Sequence, residues 1–336
     1  MTVVTGSSGH VGGNLIRSLL ARGREVRAVI RTDTRAIDGL DVEVVRADVL
    51  DPESLVRAFE GADTVFHLAA LISIIGDQGG KVHRTNVDGP RNVVEACLKC
   101  GVKRLVHFSS IHAYEQAPQD ATLDECRDFV PGRAPAYDRS KAAGQRAVLS
   151  AVERGLSAVI VNPTAVIGPH DYKPSRMGAV ICALARGRFP GLVEGGFDWV
   201  DVRDVVAGAL AAEQKGRPGQ NYLLSGRFRT VAGLAKVVAD VTGTPAPRFV
   251  SPLWLAAIGA PFVEGWCRMT GGFPLYTRES LHALKGNRDV SHAKAAEELG
   301  YSARPLEETI RDTVTWFRER GVLPPASAGG ASASST

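Results

Sequence analysis

Six short apolar runs punctuate the first half of the chain, at residues 2–4, 25–30, 42–45, 64–68, 104–108 and 157–161, each rich in β-branched residues. Runs of this length and composition predict buried strands. Between them apolar positions fall at helical spacing over residues 11–22, 52–60, 87–100 and 137–154. Strand and helix in alternation predict an α/β fold, a doubly wound parallel sheet that takes its ligands at the carboxyl ends of the strands.

After residue 162 the rhythm loosens. "NPTAVIGPHDYKPS" is a Pro-rich loop, further helices are predicted around 231–242 and 305–320, and a strand at 220–224 is expected to cross back to the sheet. The pattern divides the chain into a main domain over 1–164 and a smaller C-terminal lobe over 165–323 that would take the substrate. The final "PPASAGGASASST", residues 324–336, is apolar-poor and is expected to be disordered.

Composition narrows the function classes. Of 336 residues, 40 are Lys or Arg and 36 Asp or Glu, with no dense basic block, which argues against nucleic-acid binding. The opening residues run straight into a strand and a glycine loop, leaving no room for a secretory signal, so a cytoplasmic location is expected. The five cysteines are odd in number and scattered. Cys97 and Cys100 form a C-x-x-C, but at the carboxyl end of a predicted helix, where the dipole raises thiol pKa values, so structural cysteines are expected. The apolar stretch 251–277 is broken by prolines, glycines, Glu264 and Arg268 and cannot span a membrane. It reads first as an amphipathic lid over an apolar pocket, then as lobe packing, and last as an interfacial membrane contact.

The glycines of "TGSSGHVGG" now gain a purpose. Gly6, Gly9 and Gly12 follow a strand and enter a helix, the context in which such spacing cradles a dinucleotide pyrophosphate. Cofactor choice is read at the end of the second strand, where an acidic residue would favour NAD. The sequence places Arg31 there, with Arg35 nearby, which favours the 2′-phosphate of NADP(H); Asp33 keeps NAD(H) possible. In "APAYDRSKAAGQ", Tyr137 and Lys141 share a helix face, and the ammonium is expected to lower the phenol pKa. Lys141 can also reach ribose hydroxyls. Ser110, at the carboxyl end of the strand 104–108, can donate to a substrate carbonyl oxygen while Tyr137 supplies the proton.

At these residues the chain resembles a known family. "TGSSGHVG", "ADVLDP", "HLAA", "TNVDGPRNVVEAC", "HFSSIHAY", "YDRSK" and "NPTAVIGP" occur in the order found in extended short-chain dehydrogenases/reductases of the NAD-dependent epimerase/dehydratase type. The resemblance covers about residues 2–320 and is nearest the dihydroflavonol-reductase-like and 3-beta-hydroxysteroid-dehydrogenase-like branch. It implies a Rossmann domain over 1–164. It also implies that Gly6, Ser8, Gly9, His10, Val11 and Gly12 surround the pyrophosphate, with Arg31 at the adenosine ribose and Asp48 and Val49 beside the adenine. Leu68, Ala69 and Ala70 would line the cofactor channel with Asn86 beside it, and Pro163 and Val166 would face the nicotinamide. Ser110, Tyr137 and Lys141 match the catalytic triad, with Ser109 the alternative serine. A small-molecule substrate and a monomer or homodimer are implied.

Departures from the family indicate the reaction. Sugar-nucleotide epimerases carry an Arg where "GGFDWVDVRDVV" has Phe197, and the aromatic pair Phe197 and Trp199 suits an apolar ligand. Thr164 and His112 complete the candidate substrate residues. His67 reads as a packed or hydrogen-bonded histidine, and neither it nor His112 or His170 has ligand spacing, so no metal is expected. The expected function is an NADP(H)-dependent oxidoreductase of a mid-sized apolar ketone or secondary alcohol, flavonoid-, steroid- or polyketide-like. The alternative is an NAD-dependent sugar or sugar-nucleotide epimerase or dehydratase. A dinucleotide-sensing binding protein and a redirected non-redox enzyme rank behind.

Overall fold

The computed structural model describes residues 1–189, 191–259 and 277–325. Its frame is a seven-stranded, wholly parallel sheet in the order β10-β6-β5-β4-β1-β2-β3. The strands are β1 (Thr2–Thr5), β2 (Val26–Ile30), β3 (Glu43–Arg46), β4 (Thr64–His67), β5 (Arg104–Phe108), β6 (Ala158–Pro163) and β10 (Asn221–Leu224). All six early strands stand within two residues of where the apolar runs place them. The crossing strand is β10, which pairs with β6 from Asn221↔Ile160 to Leu224↔Pro163.

Strand alternation divides the core. Val3, Val65, Leu105 and Ile160 pack on one face of the sheet, whereas Val4, Phe66, Val106 and Val161 pack on the other. The helices covering these faces include α1 (His10–Leu20), α2 (Pro52–Phe59), α4 (Gly89–Lys99), α5 (Ala136–Glu153) and α7 (Val202–Lys215). One helix departs from its expected form. The segment expected as a single helix over 87–100 begins earlier, with a short α3 (Lys81–His83) and a π-helical turn Arg84–Asp88, before α4 starts at Gly89. Gly144 of α5 lies so close to that turn that a Cβ would stand 2.2 Å from the Asn86 carbonyl oxygen.

A three-stranded sheet, β11-β9-β7, lies beyond the main one. It comprises β7 (Ala165–Ile167), β9 (Gly196–Asp201) and β11 (Arg227–Thr230), with a further short pair, β8 (Leu192–Val193) and β12 (Val250–Ser251). These strands, α6 (Arg176–Ala185), α8 (Val231–Thr242) and the helix Leu306–Glu319 bury a separate apolar cluster that includes Ile181, Leu234, Ile310 and Phe317. Among the described residues no helix is long and apolar enough to cross a membrane. Residues 260–276 of the proposed lid and 326–336 of the expected tail lie outside the described residues.

Candidate active site

A cleft of about 440 Å³ opens at the carboxyl ends of the main sheet. Gly6, Gly9, His10, Val11 and Gly12 line one part of it, joined by Leu68 and Ala70 after β4. Ser110, Tyr137 and Lys141 line it as well, together with Pro163, Thr164, Val166, His112 and Phe197. Residues separated by more than 130 positions thus meet because parallel strands present all their carboxyl ends on one side.

The glycine loop is built to approach a ligand closely. Gly6 has a positive φ of 72°, and a Cβ there would lie 2.7 Å from the Ala69 nitrogen. A Cβ on Gly12 would lie 2.3 Å from the Gly6 carbonyl oxygen. Helix α1 then starts with no side-chain cap and no acidic residue in its first turn. Its positive dipole end is therefore open to an anion, and this cradle fits a dinucleotide pyrophosphate.

Neighbouring strand ends carry the polar groups behind the cleft. Thr5 and His67 are register partners, and the Thr5 hydroxyl lies 2.7 Å from His67 Nδ1. His67 is register partner in turn to His107, on which it stacks at 5.3 Å. Burial pushes His67 down to about 3, a neutral packed histidine as expected. One residue further on, the Phe108 carbonyl accepts a 2.9 Å bond from Lys141 Nζ.

The candidate pair Tyr137 and Lys141 differs from expectation in its tuning. Burial, opposed by a hydrogen bond with Ser110, pushes the Tyr137 phenol up to about 12, and burial pushes Lys141 down to about 8. The lysine does not lower the phenol as the spacing predicted: its ammonium is taken by the Phe108 carbonyl and is itself desolvated. Tyr137 is therefore a neutral acid at physiological pH. Of the two serines, Ser110 is the one whose hydroxyl opposes the upward push on the Tyr137 phenol, and its Oγ accepts from the His112 amide at 3.2 Å. His112 Nδ1 stands 3.1 Å from Asp138, with its ring 5.7 Å from that of Tyr137.

Several predicted residues lie off the cleft wall. Trp199 is buried in the second apolar cluster, its indole donating to the Arg229 carbonyl at 3.0 Å, so it does not face a ligand. Asn86 spends its amide on both backbone groups of Leu71 and on the Ser140 hydroxyl, which makes it a clamp on the segment after β4. Ala69 packs behind the loop beneath Gly6. Ser8 is half-buried in the loop but does not line the cleft, Asp48 holds the turn into α2 through Leu50 and Ser54, and Val49 packs against Gly89. Arg31 is exposed directly after β2 and makes no hydrogen bond or ion pair among the described residues. Its acidic neighbour Asp33 is clasped by Arg35 at 2.6 and 2.9 Å, which holds its carboxyl down to about 2.

Three contributors went unread in the sequence. Asp198 lines the cleft between Phe197 and Trp199, and Gln116 and Asn287 close another part of it. Asn287 comes from the segment after helix Arg278–Ala283 and bonds to the carbonyls of Gln116, Pro118 and Ala121. No local motif announces such a long-range contact. Among the described residues no group of three or more His, Cys, Asp or Glu could hold a metal ion. Cys97 and Cys100 are free, and burial raises both thiols above their ordinary range.

A parallel doubly wound sheet, a glycine loop at its first strand and a Ser, Tyr and Lys at one cleft define an enzyme of the short-chain dehydrogenase/reductase class. The chain belongs to the NAD dependent epimerase/dehydratase family, whose model matches residues 2–225. It is 37% identical to sterol demethylase protein B of Methylococcus capsulatus over 331 residues, 96% of this chain and 99% of that protein. It is 33% identical to a putative dihydroflavonol 4-reductase of Synechocystis, over 95% of each chain. A solved nucleoside-diphosphate-sugar epimerase from Pseudomonas aeruginosa superposes with a TM-score of 0.78 at 26% identity, covering 96% of this chain and 98% of that one.

Proposed function

We propose that this enzyme is an NADP(H)-dependent carbonyl reductase, or the corresponding alcohol dehydrogenase, acting on a mid-sized, largely apolar ketone. The observation that carries the reading is the meeting of Ser110, Tyr137 and Lys141 at a cleft whose other walls are mainly apolar, among them Ile72, Ile111, Val166, Met177, Phe197 and Val290. A bound nicotinamide dinucleotide would supply or accept the hydride. Gly6, Gly9 and the first turn of α1 would hold its pyrophosphate, and Arg31 its 2′-phosphate. Ser110 would fix the substrate oxygen by a hydrogen bond. Tyr137, a half-buried neutral acid on the cleft wall, would give that oxygen its proton. Lys141, anchored on the Phe108 carbonyl, would bind the ribose.

Two measurements test the reading. Separate titrations are expected to show NADPH binding about tenfold to a hundredfold tighter than NADH, the worth of a charge-assisted contact, and Arg31→Ala is expected to erase the difference. Tighter NADH binding would overturn the role of Arg31. Ketone reduction should also fall on the alkaline side with a midpoint near the Lys141 value of about 8. The sign follows from burial, which favours the neutral amine, so the ammonium is lost as pH rises through that value. A rate that stays flat well above it would count against the lysine.

The similarity to a sugar-nucleotide epimerase favours a second reading, an epimerase or dehydratase that retains NAD. Phe197 stands where such enzymes carry an Arg, which weighs against it. Tightly held NAD in the purified protein, with no net oxidation of substrate, would establish it.

A further inference from the structure

Asp198 is the one carboxylate among the described residues that line the cleft, and it is 7% exposed. Its Oδ1 accepts two bonds of 2.6 Å, from the Thr164 hydroxyl and from the Gly226 amide. Gly226 can bring its N–H there because it has no Cβ: one would lie 1.8 Å from the Trp199 carbonyl oxygen. Oδ2 has no hydrogen-bond or ionic partner among the described residues.

Among the other polar side chains of the cleft, Ser109 Oγ is buried without a hydrogen-bond partner among the described residues, and several have committed their groups. Gln116 donates to the Ile111 and Tyr114 carbonyls and accepts from the Asn287 amide. Asn287 donates to three carbonyls and accepts from the Asp289 amide. Thr164 gives its proton to Asp198, and Ser175 accepts from the Gly178 amide. Asp198 Oδ2 is thus an uncommitted acceptor in an apolar surround. Burial pushes this carboxyl up to about 6 against the two hydrogen bonds, so at neutral pH it is chiefly ionised and can only accept.

A buried carboxylate oxygen left without a donor is expensive, and water expelled by an apolar ligand would leave it so. The ligand must then bring its own donor. We infer that Asp198 selects, among apolar ketones, those carrying a second group that donates a hydrogen bond, a hydroxyl or an amine, which Oδ2 accepts. The inference rests on the ketone reading above and adds to it a requirement on substrate chemistry. It also makes Asp198 a specificity residue and leaves the proton transfer to Tyr137.

The substitution Asp198→Asn separates this role from a structural one. Thr164 and the Gly226 amide are both donors, so the carbonyl oxygen of the new amide must take the place of Oδ1. Its nitrogen, a donor, then faces the cleft in place of Oδ2. The fold-bearing bonds are kept and the polarity presented to the ligand is inverted.

The test is calorimetric titration, at neutral pH, of the protein saturated with NADP+, using tetralone, its isomeric hydroxy-tetralones and their methyl ethers. At least one hydroxy isomer is expected to bind about tenfold or more tighter than its ether. Asp198→Asn should abolish or reverse that preference while affinity for the parent tetralone and for NADP+ stays unchanged. If Asp198→Asn does not fold, Asp198→Glu, which remains acceptor-only, should keep the sign of the preference. Binding of the parent ketone with no preference for hydroxyl over ether overturns the inference and leaves the ketone reading standing. So does a preference that survives in Asp198→Asn or reverses in Asp198→Glu, or an effect of Asp198→Asn confined to NADP+. Failure of every tetralone to bind overturns the ketone reading and the inference with it.

Discussion

Replacement of Tyr137 by phenylalanine is expected to lower kcat for ketone reduction by about 10²- to 10⁴-fold, the range of a lost general acid, with NADP(H) affinity unchanged. The prediction rests on the place of the phenol, half-buried on the cleft wall beside Ser110. Burial pushes the phenol up to about 12, so it holds its proton in the cleft and releases it only to a strong base, such as an oxygen gaining negative charge. Water is a poor substitute where the wall is apolar. Ser110→Ala would be a less clean probe, because Ser110 Oγ also caps the turn Ile111–Ala113 through the His112 amide, so structural and chemical losses would be mixed. Stopped-flow measurement of nucleotide oxidation in single-turnover mode checks the step directly. Full turnover by Tyr137→Phe on its substrate would remove Tyr137 from the mechanism.

The sheet was legible because its determinants are local. Six β-branched runs with helical segments between them leave few arrangements for a chain of parallel strands, and the glycine loop marks the first turn. Ser110, Tyr137 and Lys141 were legible for a related reason, since each stands next to a strand end or on a helix face whose direction the pattern predicts. The environment of these groups was not. That Lys141 Nζ reaches the Phe108 carbonyl, and so leaves the phenol's pKa to burial, depends on how deeply α5 seats against β5. Spacing along one helix carries no record of that depth.

The lobe side shows the same limit more sharply. Phe197 and Trp199 were read together as an aromatic pair suited to an apolar ligand, yet only Phe197 meets the cleft and Trp199 packs into the cluster behind it. Asp198 between them carries no signal in the sequence pattern. Its significance arises from Gly226, a residue 28 positions on, whose missing Cβ lets β11 close over β9. Asn86 was expected beside the channel, and it is a neighbour of the channel in a different sense: it fixes the Leu71 backbone, and with it the direction in which Ala70 and Ile72 reach the cleft.

Gly12→Ala should weaken NADP(H) binding by about tenfold to a hundredfold, and Gly9→Ala by far less. Inside an exposed helix, alanine would be worth about 1 kcal/mol over glycine, so propensity alone predicts a gain for Gly12→Ala. Contact geometry reverses the sign. The added methyl would sit 2.3 Å from the Gly6 carbonyl oxygen and 3.0 Å from Ser7 Cα, all backbone atoms that no rotamer change can clear. Overpacking of this kind costs about 1–3 kcal/mol, and the atoms that must move belong to the loop facing the pyrophosphate. At about 1.4 kcal/mol per decade, most of that strain appears as lost affinity if the loop opens away from α1. Gly9 provides the comparison, because a Cβ there meets only the Gly6 oxygen, at 3.2 Å, and its φ of −82° suits any residue. Fluorescence titration with NADPH and a thermal melt of each variant measure the two effects separately. Wild-type affinity in Gly12→Ala would mean that the loop is not pressed between helix and cofactor, and the glycine would then serve only the packing of α1 on β1.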